Sequence, residues 1–460
     1  MKQSLLAVIC LLSQLPAFRV QAQPARTIAE KADEYLTASA SLHRFNGTVL
    51  IAQKGTVLLQ KGYGWRNQST KTPNDTGSIY QLGSITKTFT GAAIMQLQAE
   101  GKLAITDKLS QYLPDYPNGN QISLNDLFAH TSGIYDYKNF LYTKDGPDKV
   151  DFTRPVSKDR IVAMFSSQPT TSKPGGKEHY TNSGYFLLGL VIEKVTGKPF
   201  EAVIREQFIN PLHLTQTGFD FVNLHRLGKT TPYTLQGDSV RVLVTPIDST
   251  AGYAAGGMFS TVGDLYRWTQ ALQAERVLNP ADWKQTLTPI GKTNWGYGWG
   301  VNTFKTTNDL VFQNGNLPGF ATYLMLFPKT DMVIIALANT DDAADLTSLE
   351  PIVRDLVFIS ADMPYQIPKN RKAITLNESI LRQYIGKYQL DKKRILAITF
   401  ENEKLFLQVT GQGKLEIFPE TETDFFLSVV DAQLTFYKNE SGQVTHVVIH
   451  QNGDTVAKRQ

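Results

Sequence analysis

A change of sequence pattern near Pro368 is the feature that most limits how this chain can fold. Before it, segments with the apolar spacing of amphipathic helices alternate with strand-like segments. After it, the chain contains only short strand-like runs separated by turn sequences, at residues 396–400, 405–409, 425–430, 434–437, 444–449 and 455–458. The pattern predicts a large domain with helices and sheets at residues 23–365, a linker at 366–375 and a small all-β barrel or sandwich at 376–460.

The first 22 residues have the pattern of a secretory signal peptide. Lys2 precedes a short apolar core at residues 5–15, and small residues lead to a cleavage site after Ala22. The only cysteine of the chain, Cys10, lies in this segment, so the mature protein would have none. Disulfides, thiolate zinc sites and cysteine nucleophiles are thereby excluded. We expect an exported protein, periplasmic or secreted, without a transmembrane anchor once the signal peptide is cleaved.

Charge and two missing hydrolase motifs narrow the function classes. The net charge is +4 on 460 residues, with no run of five or six like charges, so neither nucleic acid nor a membrane surface is expected as a partner. The chain lacks both the Gly-x-Ser-x-Gly of α/β-hydrolases and the His-Glu-x-x-His of metallohydrolases. His446 and His450 lie in a predicted strand and would be about 13 Å apart, which is too far for one metal ion.

A serine and a lysine one helical turn apart are the first candidates for chemistry. Apolar residues such as Ile85 and Phe89 predict a helix that opens at Ser84 and ends near Gly101, with Lys87 beside the serine. A serine hydroxyl needs a neighbouring base to become a nucleophile, and a buried lysine could accept its proton. The alternative is a serine N-cap followed by a solvated lysine, which these residues alone do not exclude.

Two other stretches carry groups that could complete such a site. In an extended loop, Tyr180 and Asn182 would point to the same side and offer a phenol for proton transfer beside an amide. The alternative for Tyr180 is a ring that only packs. Gly315, just before a predicted hairpin, would let a substrate lie close to the strand edge. His130 ends a predicted short helix, so we expect a buried, backbone-bonded role for it rather than a catalytic one.

Together, these motifs resemble those of the serine β-lactamase and penicillin-binding protein superfamily. The motifs are Ser84-x-x-Lys87, Leu-Phe-Ala-His-Thr-Ser-Gly at 127–133, Tyr180-x-Asn182 and Asn-Leu-Pro-Gly-Phe at 316–320. The most similar branch holds class C β-lactamases, D-alanyl-D-alanine carboxypeptidases, D-aminopeptidases and related esterases. The resemblance covers about residues 25–360 and implies an α/β (α+β) fold, with an antiparallel sheet flanked by helices and a helical subdomain. The segment after Pro368 resembles the small β-domain that often follows in secreted members.

The resemblance also implies an acyl-enzyme mechanism. Ser84 would attack a carbonyl, Lys87 and Tyr180 would share the proton transfers, and Asn182 would hold the substrate's amide or the lysine. The backbone N–H groups of Ser84 and Asn316 would bind the oxyanion. No cofactor and no metal are implied. The substrate would be a small molecule or peptide, such as a cell-wall-derived D-amino-acid peptide, an amide or a small ester, with a β-lactam as a further acylating ligand.

One departure from the family pattern lies in the predicted substrate-binding residues 313–316. The family usually has Lys or His where this chain has Gln313, followed by Asn314 and Gly315. Glutamine has no charge, and ionic hydrogen bonds are about twice as strong as neutral ones. We therefore expect small uncharged esters or amides to be better substrates than D-Ala-D-Ala peptides, unless Arg241 or Arg267 supplies the charge. A non-catalytic sensor or binding module stays the alternative, although the intact serine, lysine, tyrosine and asparagine argue against it.

Overall fold

The computed structural model describes residues 26–141, 150–236, 240–302, 310–342, 349–427, 432–450 and 454–460. The predicted signal peptide, residues 1–22 with Cys10, lies outside the described residues. In the part of the chain that is described, no helix is long and apolar enough to cross a membrane.

The chain up to Ser360 alternates helices and strands. The helices are α1 (Ile28–Ser41), α2 (Thr86–Ala99), α3 (Leu124–Phe128), α4 (Lys138–Leu141), α5 (Lys158–Ser166), α6 (Asn182–Thr196), α7 (Phe200–Ile204), α8 (Ser249–Gly256), α9 (Val262–Gln273), α10 (Pro280–Thr286) and α11 (Glu350–Ser360). The strands are β1 (Gly47–Gln53), β2 (Thr56–Tyr63), β3 (Trp65–Asn67), β4 (Thr72–Pro73), β5 (Tyr80–Gln81), β6 (Tyr233–Gln236), β7 (Val240–Leu243), β8 (Phe259–Ser260), β9 (Gly300–Asn302), β10 (Leu310–Leu317), β11 (Phe320–Phe327), β12 (Met332–Ala338) and β13 (Thr340–Asp342).

Six strands form a central antiparallel sheet in the order β2-β1-β12-β11-β10-β9. Strands β11 and β12 are buried along their whole length because helices cover both faces of the sheet. In β12, Val333 and Ile335 belong to the apolar cluster that contains α2 and α9, whereas Ile334 and Ala336 belong to the cluster of α1 and α11. The predicted antiparallel sheet flanked by helices is confirmed.

Helix α2 is the buried helix of this domain. Every residue from Thr86 to Met95 is buried, and Phe89 stacks on Trp268 of α9 with ring centroids 4.1 Å apart. Such a helix packs on all sides, against the sheet and against the helical part of the domain around α6 and α8. Its first turn therefore lies inside the domain rather than at the surface.

The residues after the linker form a closed eight-stranded barrel. Its strands are β14 (Gly386–Gln389), β15 (Ile395–Glu401), β16 (Lys404–Val409), β17 (Lys414–Pro419), β18 (Asp424–Phe426), β19 (Gln433–Lys438), β20 (Val444–His450) and β21 (Asp454–Arg459), preceded by α12 (Glu378–Leu381). Pairing of Tyr388 with Arg459 joins β14 to β21 and closes the barrel around a core of aliphatic and aromatic side chains. The predicted small all-β domain is confirmed, and of the two architectures left open it is the barrel.

The linker contacts the large domain at its start and the barrel at its end. Tyr365 packs edge-on against Tyr35 of α1, with ring centroids 6.4 Å apart. Farther on, Arg371 forms an ion pair with Glu420. The Ile374 N–H donates to the carbonyl oxygen of Pro419, the last residue of β17 (2.8 Å). The chain thus passes from contacts with the large domain to contacts with the barrel between residues 367 and 371.

Candidate active site

Ser84 lies in a short 3₁₀ turn, Gly83–Ile85, that leads directly into α2. Gly83 has a φ of +56°, a left-handed conformation that glycine adopts without steric cost. Two backbone hydrogen bonds of Leu82 fix the position of the turn: its carbonyl accepts from Thr322 Oγ1 (2.7 Å), and its N–H donates to Met258 O (2.9 Å). The serine is therefore presented from a backbone held between β11 and the segment before β8.

The Lys87 side chain is buried, and its nitrogen contacts three oxygens. Nζ lies 2.8 Å from each of Ser84 Oγ, Asn182 Oδ1 and Ala255 O. The two carbonyl oxygens can only accept, so in a neutral amine they take its two hydrogens and leave the lone pair directed at the serine hydroxyl. The alternative of a capping serine and a solvated lysine does not describe this structure, because Ser84 caps no helix and Lys87 is buried.

The surroundings of Lys87 favour its neutral form. Burial lowers the pKa of Lys87 to about 7, while the negative charge of Asp136 opposes this decrease and the positive charge of Lys138 adds to it. An amine with a pKa in this range is a proton acceptor for a substantial fraction of molecules at neutral pH. The lysine can therefore take a proton from the Ser84 hydroxyl without prior deprotonation at high pH.

Tyr180 contacts the same serine from the other side. Its hydroxyl donates to Ser84 Oγ at 2.9 Å, and burial raises the pKa of the phenol, which keeps Tyr180 protonated. The ring packs on His130 with centroids 4.3 Å apart. His130 is itself buried and accepts from the Thr181 N–H through Nδ1 (3.2 Å), so the predicted backbone-bonded role is confirmed. Tyr180 therefore donates to Ser84, and Lys87 in its neutral form can accept from it.

Asn182 opens helix α6 beside these groups. Thr181 is the N-cap, and its side chain accepts from the Ser183 N–H (3.2 Å), which turns the chain so that the residues on either side reach Ser84 and Lys87. The Asn182 amide then bridges Lys87 and Asp136: Oδ1 accepts from Lys87, and Nδ2 donates to Asp136 Oδ2 at 3.1 Å. Four of the residues predicted from sequence are thus brought into mutual contact.

Strand β10 touches the serine turn backbone to backbone. A methyl group added at Gly315 would lie 2.0 Å from Leu82 O and 2.7 Å from Ser84 N, and one added at Gly83 would lie 3.2 Å from Asn316 N. No side chain fits at Gly315. The close approach of β10 to the serine turn places the backbone nitrogens of Ser84 and Asn316 on the same side of the site.

Comparison with known proteins agrees with this geometry. The family model described as Beta-lactamase matches residues 25–357, well over half of the chain. The chain belongs to the beta-lactamase family. A second model, a domain of unknown function (DUF3471), matches residues 370–458, which include the barrel. Members of the beta-lactamase family with a Ser-x-x-Lys motif use the serine as nucleophile, so this protein is of the serine acyl-transferase or hydrolase kind.

Relatives extend the match over nearly the whole chain. The chain is 26% identical to Penicillin-binding protein 4* of Bacillus subtilis over 91% of its own length and 95% of that protein. Among solved structures, it is similar to an octameric penicillin-binding protein homologue from Pyrococcus abyssi (TM-score 0.66, 22% identity, 93% of this chain and 99% of the other). It is also similar to a D-amino acid amidase from Ochrobactrum anthropi SV3 (TM-score 0.64, 19% identity, 73% and 99%). These structures share the beta-lactamase family fold.

The strand pleat separates the predicted substrate-binding residues of β10. Asn314 and Asn316 line an open cavity of about 280 Å³ in front of Ser84. The Gln313 side chain is buried, donates to Gly298 O (3.1 Å) and is not among the lining residues. The two arginine candidates also lie elsewhere: Arg267 pairs with Asp264 (2.8 Å), and Arg241 is 3.5 Å from His43 Nδ1.

The structure adds two charged residues that sequence reasoning missed. Lys138 lines the cavity from α4, and Asp136 lies just before it, bonded to Asn182. Both follow the Leu-Phe-Ala-His-Thr-Ser-Gly stretch in a loop without a motif of its own. In the sequence, the only available signal was an acidic residue six positions after the histidine that ends a predicted helix, and such a residue can equally belong to a turn.

Proposed function

We propose that this member of the beta-lactamase family hydrolyses an amide or ester through an acyl-enzyme formed on Ser84, with Lys87 as the general base. The observation that carries the proposal is the 2.8 Å contact between Ser84 Oγ and Nζ of a buried lysine with two further acceptors. The nucleophile, its base and the groups that orient the base are therefore within hydrogen-bond reach, as nucleophilic catalysis requires.

In this mechanism the proton that leaves Ser84 Oγ is replaced by the end of the catalytic cycle. As Ser84 Oγ attacks the carbonyl carbon, its proton passes to neutral Lys87, and the oxyanion is bound by the N–H groups of Ser84 and Asn316. Tyr180 gives its hydroxyl proton to the leaving atom and regains one from Lys87, so the bond to the leaving group breaks. Water then attacks the acyl carbonyl, its proton returns through the same groups to Ser84 Oγ, and the acid product leaves.

Labelling of the serine tests the proposal. Treatment with an alkyl fluorophosphonate should add one phosphonyl group to the intact mass, and Ser84→Ala should abolish the adduct, since fluorophosphonates react with activated serines. Ser441→Ala, which removes an exposed serine of the barrel, is the matched control and should label like the wild type. A wild-type chain that several such probes leave unmodified would favour the binding-module alternative. An adduct on Ser84→Ala would place the nucleophile elsewhere.

The cavity wall supports a preference for uncharged substrates. Asn314 and Asn316 offer neutral side chains along β10, so a terminal carboxylate lying against this strand would receive only neutral hydrogen bonds from it, while Lys138 lines the cavity from α4. We therefore expect kcat/KM for D-alanine amide to exceed that for D-alanyl-D-alanine by about tenfold, and Asn314→Lys to narrow the difference by improving the dipeptide. Steady-state assays of free D-alanine compare the two. Faster release from the dipeptide by the wild type would contradict this substrate class.

A further inference from the structure

Asp136 is a buried carboxylate that directly contacts Asn182. It is 8% exposed and lies between α3 and α4. Its Oδ2 accepts from Asn182 Nδ2 (3.1 Å), and its Oδ1 accepts from the Asn182 N–H (3.1 Å) and from the same Nδ2 (3.4 Å). The Lys138 N–H also donates to Oδ1 (3.1 Å). Both carboxylate oxygens are therefore used, and three of these four contacts go to the residue that orients the lysine.

These contacts leave Asn182 with one orientation. An amide side chain has donors on one end and an acceptor on the other, whereas an ionised carboxylate only accepts. Asp136 therefore holds the NH₂ end, and Oδ1 must face Lys87, where it takes one of the lysine hydrogens. A flipped amide would bring its oxygen against the carboxylate and its hydrogens against the lysine. The charge of Asp136 thus determines which way the Lys87 lone pair is directed.

Asp136 also acts on Lys87 through space. The groups around Lys87 that carry or could carry charge are Asp136 in its loop, Lys138 on α4, and the rings of His130, Tyr180 and Tyr185. Burial keeps the histidine and the two phenols neutral at neutral pH. Asp136 is therefore the negative charge that favours protonated Lys87, and Lys138 is the positive charge that opposes it.

We propose that Asp136 is a positioning residue for acylation, one that acts through the Asn182 amide and through its charge on Lys87 while touching neither substrate nor Ser84. The inference rests on the proposed function, in which Lys87 is the base. It makes two separable claims. Loss of the Asp136 charge should change the pH at which Lys87 becomes active as a base. Loss of the contacts that fix the Asn182 amide, here called the amide lock, should lower the rate of Ser84 acylation even when Lys87 is neutral.

Asp136→Asn tests both claims, with the rate of Ser84 acylation by p-nitrophenyl acetate measured across pH. The acid limb, the range over which the acylation rate rises with pH, should move to lower pH by about one unit, because the negative charge that favours protonated Lys87 is gone. The plateau at high pH should fall by about 10- to 100-fold, because an asparagine at 136 can accept the amide in either orientation. Asp136→Glu keeps the charge and should keep the limb near its wild-type position. If Asp136→Asn does not fold, Asp136→Ser removes the same charge and is assayed in the same way.

Two controls separate positioning from a merely structural role. Asp264→Asn alters another buried, hydrogen-bonded carboxylate that does not line the cavity, and it should leave the pH dependence of acylation unchanged. In an Asn182→Ala background, Asp136→Asn should cause little further loss of plateau rate, since the lock has already been removed. A limb that stays fixed in Asp136→Asn, or plateau losses that add in the double variant, would overturn the inference. A wild type that Ser84 reagents never acylate would instead overturn the proposed function.

Discussion

Replacing Lys87 with methionine is expected to slow acylation of Ser84 by about 10²–10⁴-fold, the range of a lost general base. Methionine fills a similar space but has no nitrogen to accept the serine proton. Tyr180 cannot take over, because burial raises the pKa of its phenol and holds it as a donor to Ser84 Oγ. Stopped-flow measurement of the p-nitrophenolate burst gives the acylation rate of the variant directly.

The pH dependence of the same rate identifies the lysine as the group responsible. Lys87 is a base only when neutral, which is the case above its pKa of about 7. The wild-type rate should therefore rise with pH through neutrality and level off above it, and Lys87→Met should lose this limb. Lys229→Met, which removes a half-buried lysine that donates to Val222 O, is the control and should keep both limb and rate. A Lys87→Met rate within tenfold of the wild type, or a retained limb, would assign the base to another group.

Sequence patterns predicted the serine site in outline but not the state of its lysine. The helix, the one-turn spacing and the two other motifs are local features that periodicity and residue type indicate. The lowered pKa of Lys87 depends on its burial inside the folded domain. The direction of its lone pair depends on two acceptors 95 and 168 residues away in the chain, Asn182 and Ala255. No local pattern reports such long-range contacts, so the solvated alternative could be rejected only with the fold in hand.

Gln313 shows a different limit. Strand alternation already implies that Gln313 and Gly315 share one side of β10 and that Asn314 and Asn316 share the other. The pattern does not say which side faces the substrate, because both sides are covered by protein or cavity. The structure places Gly315 against the serine turn and Gln313 on Gly298, which leaves the two asparagines for the cavity.

The barrel was left undecided between two architectures for a similar reason. Short strands and turns indicate an all-β domain, but they fit both a sandwich of two packed sheets and a barrel, in which one sheet closes by pairing of its first and last strands. Here Gln389 pairs with Lys458 and Tyr388 with Arg459, across some 70 residues. Closure depends on pairing between the first and last strands of the domain, and the sequence pattern of each single strand does not indicate that pairing.

Placing a methyl group at Gly315 should lower acylation by about 10²–10³-fold, the cost of losing one oxyanion donor. The added carbon of Gly315→Ala would meet Leu82 O at 2.0 Å and Ser84 N at 2.7 Å. Both are backbone atoms of the anchored turn, so they cannot swing aside as a flexible side chain would. Either the turn or strand β10 must shift, which would displace the N–H groups of Ser84 and Asn316 that we propose as oxyanion donors.

The effect should fall on kcat rather than on KM, because the donors bind the charge that develops only in the transition state. Gly413→Ala is the matched control: Gly413 is an exposed barrel glycine with open space around its Cβ position, and its variant should keep the wild-type rate. Thermal melting of both variants separates misplacement from unfolding. A folded Gly315→Ala with wild-type kcat would mean that the oxyanion is stabilised without this backbone contact. A folded variant with kcat lowered and KM kept would tie the fit of β10 against the serine turn to the chemical step itself.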